Sequence, residues 1–433
     1  MGEVTGMADE LVAGAWANLM REMRGPLIEA MRWKTVLLSE VKRNKNPQLW
    51  HGKQITIPVI LAPQQGTQMV TESGVVGLAQ TIDDVQANIT TAIIEHTISF
   101  STQLMRQSRN TGDTSWAQVV PTKMRMAEDA ISRVMNEQMC GDGTGKLADI
   151  TANATSLTQT VGTTANFYQL YANRVVDMRT AATGVDPGQG LARKIASNSP
   201  SAGTLLFSTT QTVTGGGSGS LVATTAEDFY IQNTGPGTGT WATPSTGTGS
   251  VGQAMGGIRA AAATTGTFQG LNKATVVQWR GTDGRVGITT TVDPTLSVLD
   301  SAERQAMIYA GVTPDFYLCD PFVVDKFTQM LTVQAQWNGA AGKLESGWDG
   351  VKYRNKLLVP EFDMAPNTAI GVQLDDCALY ALDDGPDWDE YTGDMFMRFS
   401  RALPVEAWLV WLVQFGFTRC NTTVSIGNLS QAT

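Results

Sequence analysis

Residues 134–145 read VMNEQMCGDGTG, and this stretch marks the end of a long amphipathic helix. One apolar face recurs upstream at intervals of three and four residues, as in a helix: Val120, Met124, Ala127, Ile131 and Val134. Because glycine commonly closes helices, Gly141-Asp142-Gly143-Thr144-Gly145 predicts a helix end followed by a tight turn. Pro121 predicts a kink or a late start near the other end.

A glycine-tipped strand pair precedes this helix. Gln54 to Leu61 is β-rich, and Pro58 makes it an edge strand because proline cannot donate to a ladder. A polar stretch, Ala62 to Gly77, separates it from a return strand at about Leu78 to Ile89. The hairpin spans almost forty residues, so each leg could reach about 30 Å at a rise of roughly 3.3 Å per residue. A two-stranded ribbon is marginally stable in water unless another element covers it. The sequence therefore predicts an extended hairpin that a neighbouring molecule covers.

Three sets of residues are predicted to act in assembly. The apolar residues of the first hairpin leg are Ile55, Ile57 and Val59, and the glycines that let the tip tilt are Gly66, Gly74 and Gly77. Helix periodicity over 8–32 adds a third set: Leu11, Trp16, Met20 and Met23. This last stripe fits a core or an interface, and the interface is favoured because a terminal arm has little body to pack on.

The composition favours a protein that covers its surface with partners. Hydrophobic residues make up 42% of the chain and charged residues 16%, against about a quarter charged in an ordinary soluble domain. The net charge is −9, and the one short basic run is Lys42-Arg43-Asn44-Lys45. Gripping nucleic acid through a basic face needs clustered cations, so this charge balance argues against it.

The four cysteines lie far apart in the sequence, which predicts buried thiols rather than zinc ligands or a disulfide framework. The longest apolar run, Ala407 to Val413, is about a third of a membrane span, and the amino terminus lacks a secretory signal. We therefore expect a soluble chain with no membrane partner.

Catalytic motifs are weak. Gly141 to Lys146 resembles a phosphate loop, but Leu147 stands where that motif needs Ser or Thr, and a helix precedes the loop. The two histidines, His51 and His96, fit packing or solvation better than a catalytic triad. The acidic loop 383–390 lacks the spacing of a calcium loop. The sequence predicts no enzyme activity, no cofactor and no metal.

The middle of the chain, 151–292, is rich in Thr, Gly, Ser and Ala. A disordered linker and a β-rich insertion both fit this composition, and the insertion is favoured. Predicted strands lie at Leu205–Phe207 and Phe229–Ile231, and a predicted helix at Tyr168–Thr180. Gly281-Thr282-Asp283-Gly284 between apolar flanks predicts a further hairpin.

The last third alternates helices and strands. Helices are predicted from Leu296 to Tyr309 and from Pro321 to Leu331. Strands are predicted at 315–318, 356–359, 369–373 and 377–382, followed by two strand candidates within 395–418 that Pro404 separates. Trp408 to Val413 is apolar on both faces, as in a central strand.

This order of parts resembles the major capsid protein of tailed bacteriophages, of the Hong Kong phage type, whose fold encapsulin shells and the herpesvirus capsid floor share. The motifs that carry the resemblance are residues 134–145, Pro314 to Pro321, Leu357 to Pro360 leading to Ile370-Gly371-Val372, and the tail Phe415 to Leu429. It covers about 8–150 and 293–430. The middle departs from it, because the family has only a few dozen residues there.

The resemblance implies an α+β capsid fold divided along the chain. The expected parts are an N-terminal arm (1–52), an extended hairpin loop (53–90), a peripheral domain with a spine helix (91–150), a β-rich insertion (151–292), an axial domain (293–394), and return strands with a tail (395–433). The spine helix would end in the turn formed by Gly141, Asp142, Gly143 and Gly145.

The implied function is structural: copies would form pentamers and hexamers of an icosahedral shell around double-stranded DNA. Expected partners are other copies, a separate scaffolding protein, a portal, a decoration protein, and DNA held without sequence-specific contact. The expected location is the virion, after assembly in the host cytoplasm. An encapsulin-like compartment, a surface adhesin that works through 151–292, and a hydrolase with an unrecognised site stay open.

Overall fold

The computed structural model describes residues 35–44, 54–62, 83–100, 116–162, 165–181, 193–208, 227–232, 254–285, 290–333, 341–343, 349–354, 356–382, 386–389 and 405–430, with 69, 72, 74, 222–223 and 225. Several predicted sites lie outside these residues: the helical stripe of Leu11, Trp16, Met20 and Met23, the tip glycines Gly66 and Gly77, and His51.

The described helices are α1 (Val36–Glu40), α2 (Trp116–Cys140), α3 (Ile258–Ala262), α4 (Leu296–Ala310) and α5 (Pro321–Val333), with 3-10 turns at Val277–Trp279 and Leu374–Asp376. The strands of the first half are β1 (Arg43–Asn44), β2 (Gln54–Ala62), β3 (Asp83–Thr90), β4 (Ala92–Phe100), β5 (Lys146–Asp149), β6 (Ala154–Thr155), β7 (Thr158–Thr160), β8 (Val175–Thr180), β9 (Arg193–Ser199), β10 (Thr204–Phe207), β11 (Val222–Ala223) and β12 (Glu227–Ile231).

The strands of the second half are β13 (Thr267–Phe268), β14 (Leu271–Asn272), β15 (Thr282–Asp283), β16 (Phe316–Cys319), β17 (Ala341–Lys343), β18 (Asp349–Tyr353), β19 (Lys356–Pro360), β20 (Ala369–Val372), β21 (Cys377–Ala381), β22 (Asp387–Trp388), β23 (Val405–Phe417) and β24 (Val424–Ile426). The predicted helices and strands of the last third are confirmed within a few residues. The predicted strand upstream of Pro404 lies outside the described residues.

The long helix α2, the spine helix, lies against a five-stranded sheet. Strand β23 is central in this sheet, since it pairs with β4 on one side and with β21 and β22 on the other. Its buried residues, Trp411 and Phe415 among them, share one apolar core with Ile131 and Met135 of the spine helix. The prediction of a central strand is confirmed. The spine helix starts at Trp116, five residues before Pro121.

A seven-stranded sheet carries the second core. Its order is β15-β24-β20-β16-β19-β18-β17, and helices α4 and α5 contribute Leu299, Ala302 and Phe327 to the core beside it. Strand β16 runs parallel to β19 and antiparallel to β20. This sheet places Glu361, directly after β19, at the end of a buried strand.

A six-stranded sheet with the order β5-β12-β8-β9-β10-β7 joins strands from within 151–292 to β5, which precedes that range. Its own core includes Leu170, Ile195 and Phe229. The insertion bounds of 151–292 stay a prediction. We call residues 146–232, as far as they are described, the β-insertion. The predicted helix at Tyr168–Thr180 is wrong, because Val175–Thr180 forms the interior strand β8 between β12 and β9. Burial on both faces of that strand outweighs the helical spacing.

Residues 254–285 pack on the main body. Met255, Ile258, Ala261 and Trp279 belong to the core around the spine helix rather than to the β-insertion core. The hairpin predicted around Gly281–Gly284 is wrong: Val277–Trp279 is a 3-10 turn, and β15 pairs in parallel with β24. The buried indole of Trp279, whose Nε1 donates to the Phe268 carbonyl at 3.2 Å, fixes the turn.

All four cysteines are free and buried, as predicted. Among the described helices, the apolar stretches are too short to span a bilayer.

Candidate assembly surfaces and a buried polar junction

The turn that ends the spine helix is a docking point for α3. Gly143 and Gly145 take φ values of +84° and +74°, a left-handed conformation that glycine adopts without strain. Asp142 accepts a hydrogen bond from the Thr144 amide at 3.0 Å, which tightens the turn. The Gly141 carbonyl accepts from the Arg259 amide of α3 at 3.2 Å. The four predicted turn residues therefore bring a second helix against the spine.

Gly257 makes this approach possible. A Cβ at this position would lie 2.6 Å from the Gln138 carbonyl oxygen and closer still to that of Gly141. Only a residue without a side chain fits there.

The hairpin departs from its prediction at its base. The register places Ile55 opposite Ile89, Ile57 opposite Ala87, and Val59 opposite Val85, so one face of the ribbon is apolar. That face lies on the chain's own body.

Ile55 is buried with Ile89 and Tyr380, and Ile57 and Val59 are half-buried against the main core. The body of the same chain therefore covers Ile55 and part of Ile57 and Val59, and the cover of the rest of the ribbon by a neighbouring molecule stays a prediction. The Asn88 amide, which donates to the Gln269 carbonyl at 2.8 Å, fastens the ribbon there.

Free apolar surface lies further along the hairpin and at the end of α4. Ile60 is 64% exposed, Met69 is fully exposed, and Gly74 is exposed. Three consecutive residues close α4 with more than half of each side chain exposed: Met307, Ile308 and Tyr309. Sequence reasoning missed this group, although three apolar residues in a row cannot all face one side of a helix.

A buried polar junction joins the spine helix to the end of β19. The Asn136 amide Nδ2 donates to Asp363 Oδ2 at 2.7 Å and to Glu361 Oε1 at 3.3 Å. Glu361 Oε2 accepts from the amides of Val36 and Leu37, at 3.1 Å and 3.3 Å. One asparagine and two carboxyl groups thus tie α1, α2 and the seven-stranded sheet together.

The β-insertion enters the same junction through two side chains. Gln169 Nε2 lies 3.4 Å from Asp363 Oδ1 and donates to the Asp363 carbonyl at 3.2 Å. Arg174 forms a bidentate ion pair with Glu137 of the spine helix. The β-insertion is therefore held by charged and amide groups rather than by the apolar core alone.

Burial changes the acidity of this junction. It raises the pKa of Asp363 to about 7, and the negative charges of Glu137 and Glu361 add to the effect. Burial also raises the pKa of Glu361 to about 6, although the donors around it oppose the shift. The pKa of the Cys140 thiol beside them rises well above its usual range. Both carboxyl groups therefore titrate near neutral pH.

A small cavity opens beside these groups. Its volume is about 70 Å³, and Glu137, Gln169, Lys146 and Asp363 are among its lining residues. One water needs roughly 10–15 Å³ measured this way, so the cavity has room for several waters with polar partners.

Sequence reasoning quoted Asn136 and Glu137 only as part of a motif and did not single out Arg174, Glu361 or Asp363. The signal was present in Asn136-Glu137-Gln138, three polar residues inside the apolar stretch of a helix. Their partners lie 37 to 227 positions away in the sequence, and the spacing of residues within one helix does not predict contacts at that separation.

Lys273 is a second buried charge with a structural role. Its ammonium donates to the carbonyl oxygens of Ala260, Ala261 and Ala263 at 2.5–2.8 Å, at the carboxyl end of α3. Burial lowers the pKa of Lys273 to about 8. The positive charge sits where the helix dipole is negative, which favours it there.

The described residues offer no cluster of possible metal ligands. Within them, His, Cys, Asp and Glu do not gather in groups of three that could hold a metal ion. His96 lies in β4, and burial lowers its pKa.

The chain matches no family model and no curated protein sequence. Its matches to solved structures extend over nearly the whole chain. Among solved structures, the capsid asymmetric unit of cyanophage A-1(L) is similar with a TM-score of 0.55 at 13% identity, covering 94% of this chain and 96% of that one. The capsid of Myoviridae phage XM1 gives a TM-score of 0.45 at 7% identity, covering 95% and 98%. The SrpI encapsulin of Synechococcus elongatus gives 0.44 at 8%, covering 96% and 97%.

The spine helix, the hairpin and the two body sheets together form a mixed α+β architecture. The chain has the major capsid fold of tailed bacteriophages, and the resemblance and fold class expected from the sequence are confirmed. At this identity the likeness establishes the fold, and it rests on the cyanophage match.

Proposed function

We propose that this chain is the major capsid protein of a tailed bacteriophage. Its copies form the pentamers and hexamers of an icosahedral shell that encloses double-stranded DNA. The observation that carries the proposal is the match in fold to a cyanophage capsid subunit along nearly the full length of both chains. The activity is self-assembly, which depends on shape and burial and needs no bond-making chemistry.

The exposed apolar side chains support this function. Single exposed apolar residues are ordinary on any protein, but a contiguous group is typical of a contact surface. Met307, Ile308 and Tyr309 are three exposed apolar side chains in consecutive positions at the end of α4, and Ile60 and Met69 are exposed on the hairpin. Covering these residues with sister subunits stabilises the assembled form by mass action.

The partners follow from the same function. The acidic chain encloses DNA without sequence-specific contact, because its net charge of −9 opposes a strong grip on phosphates. A separate scaffolding protein, a portal and a decoration protein complete the particle. Assembly takes place in the host cytoplasm, and the mature chain resides in the virion.

Sedimentation velocity of two matched variants tests self-assembly. Ile308→Asp places a charge in the exposed apolar group, and Ser297→Asp places the same charge on an exposed position at the other end of α4. We expect the wild-type chain and Ser297→Asp to sediment as capsomers or shells, and Ile308→Asp to shift towards the monomer. A wild-type chain that stays monomeric at high concentration contradicts the function.

A further inference from the structure

We propose that Asn136, Glu361 and Asp363 form a proton-dependent latch that holds the β-insertion and α1 against the spine helix. The latch joins parts of the chain that are distant in sequence: Asn136 lies 225 positions from Glu361 and 227 from Asp363. The latch lies within the folded subunit and acts whether or not subunits assemble.

The geometry makes the two carboxyl groups compete for one donor. Both Glu361 and Asp363 accept from the same Asn136 Nδ2. Glu361 has further donors in the backbone amides of Val36, Leu37 and Asp363. The Asp363 carboxyl group accepts from Asn136 Nδ2 at 2.7 Å and has a long contact of 3.4 Å with Gln169 Nε2. Asp363 is therefore the group on which a proton is best placed.

Charged groups from each element packed here set the field at Asp363. The spine helix contributes the charge of Glu137 and the strand end that of Glu361, whereas the buried Cys140 thiol beside them stays neutral because its pKa is raised well above its usual range. The β-insertion contributes Arg174, whose guanidinium is already committed to Glu137 at 2.5 Å and 2.7 Å. Adding a proton to Asp363 removes one of several negative charges that face each other in a site shielded from water.

The sign of the pH effect follows from the raised pKa of Asp363. The folded chain holds the proton up to about pH 7, whereas the carboxyl group in an opened chain has a pKa of 3.8. Stability from this group is thus fully present below its unfolded pKa and is lost as the pH rises through its folded pKa. The latch therefore loosens as the pH rises from about 4 to about 7 and changes little above that range.

The cavity beside the latch gives the proton a path. Its volume of about 70 Å³ reaches Asp363, Gln169 and Glu137, and waters held there would relay protons without unfolding the junction. The contacts of Asn166 provide an internal reference. Its Nδ2 donates to the Phe362 carbonyl at 2.7 Å and to the Met364 carbonyl at 3.2 Å, and neither acceptor titrates.

Hydrogen exchange measured by mass spectrometry on the full chain tests the latch. The readout is the opening constant of peptides within 165–180 and 35–44 at about pH 6 and about pH 8, after correction for the intrinsic exchange rate. From a shift of 3.8 to about 7, we expect the opening constant to rise roughly tenfold over this interval.

Two variants separate the latch from ordinary packing. Asp363→Asn keeps the shape in a permanently neutral form, and we expect its opening constant to be nearly the same at both pH values. Asn166→Ala removes the pH-independent contacts, and we expect faster exchange at both pH values with the tenfold ratio preserved. A wild-type ratio near one, or a tenfold ratio in Asp363→Asn, would overturn the proposal.

If Asp363→Asn does not fold, the wild-type chain alone still tests the latch. Its opening constant, followed across the pH range, is expected to change with a midpoint near the pKa of about 7. A flat profile overturns the latch. Exchange reports on the junction inside each subunit, so a chain that fails to form shells can still show the latch.

Discussion

Arg174 of the β-insertion and Glu137 of the spine helix form a bidentate ion pair, with N–O distances of 2.5 Å and 2.7 Å, and both side chains are buried. Arg174 also donates to the Gln169 carbonyl at 2.5 Å, which leads directly to the latch. The pair therefore couples the position of an added domain to the helix around which the main core is built.

Removing one partner of this pair is expected to be costly. In Arg174→Met the Glu137 carboxylate stays buried without its counter-charge, so we expect a loss of about 3–5 kcal/mol in the free energy of unfolding. Denaturation followed by circular dichroism measures it. The double variant Glu137→Gln with Arg174→Met should recover much of the loss.

The matched control is Arg354→Met. Arg354 lies 2.6 Å from Asp300 and 3.2 Å from Glu303, but its side chain is 60% exposed and Glu303 keeps Lys356 as a second partner, so these pairs contribute little. We expect a nearly unchanged unfolding midpoint. Equal losses of unfolding free energy in Arg174→Met and Arg354→Met would show that burial does not set the contribution of the Arg174–Glu137 pair.

Gly257→Ala tests the contact between α3 and the turn that ends the spine helix. The added Cβ would overlap the carbonyl oxygens of Gly141 and Gln138, which are backbone atoms and cannot turn aside. We expect a loss of at least about 3 kcal/mol in unfolding free energy. Gly427→Ala is the control, since its Cβ meets no atom within 4 Å and should leave stability unchanged. A fully stable Gly257→Ala would refute the close approach.

Lys273→Met tests the capping of α3. The variant keeps the length of the side chain but removes the donor that three carbonyl oxygens share; that of Ala263 keeps the Gly281 amide, and the expected cost is about 1–3 kcal/mol. Lys42→Met is the comparison, because Lys42 and its partner Asp375 are both mostly exposed. Thermal unfolding should separate the two variants clearly, and a neutral Lys273→Met would contradict the capping role.

Deleting residues 62–78 tests the far part of the hairpin. The ladder from Gln54–Thr90 to Ile60–Asp84 remains, and its apolar face stays on the body, so we expect a folded chain with near-normal circular dichroism. We expect electron microscopy to show no closed particles. Normal shells from this variant would mean that the deleted segment has no role in assembly.

Sequence reasoning reached the elements whose signals are local. The spine helix and its glycine turn, the helices of the last third and the central strand Val405–Phe417 all follow from periodicity and turn residues over one element. Strand β8 was mistaken for a helix because its surroundings, the neighbouring strands β9 and β12, lie elsewhere in the sequence.

The buried polar junction could not be predicted from the sequence for a related reason. In the sequence, Asp363 and Glu361 look like ordinary surface acids, and only the fold shows that they are buried against Asn136. Ile55 shows the opposite error: an apolar ribbon residue predicted a partner molecule, whereas Ile89 and Tyr380 of the same chain cover it. Which surface covers an apolar face depends on tertiary packing, and spacing along the chain does not encode it.

Electron microscopy of the purified chain, expressed alone and together with its neighbouring genes, tests the central claim most directly. The account predicts five- and six-membered capsomers or closed icosahedral particles, with nuclease-protected double-stranded DNA inside them when the packaging partners are present. A stable monomer of 46.4 kDa at high concentration under both conditions would contradict it.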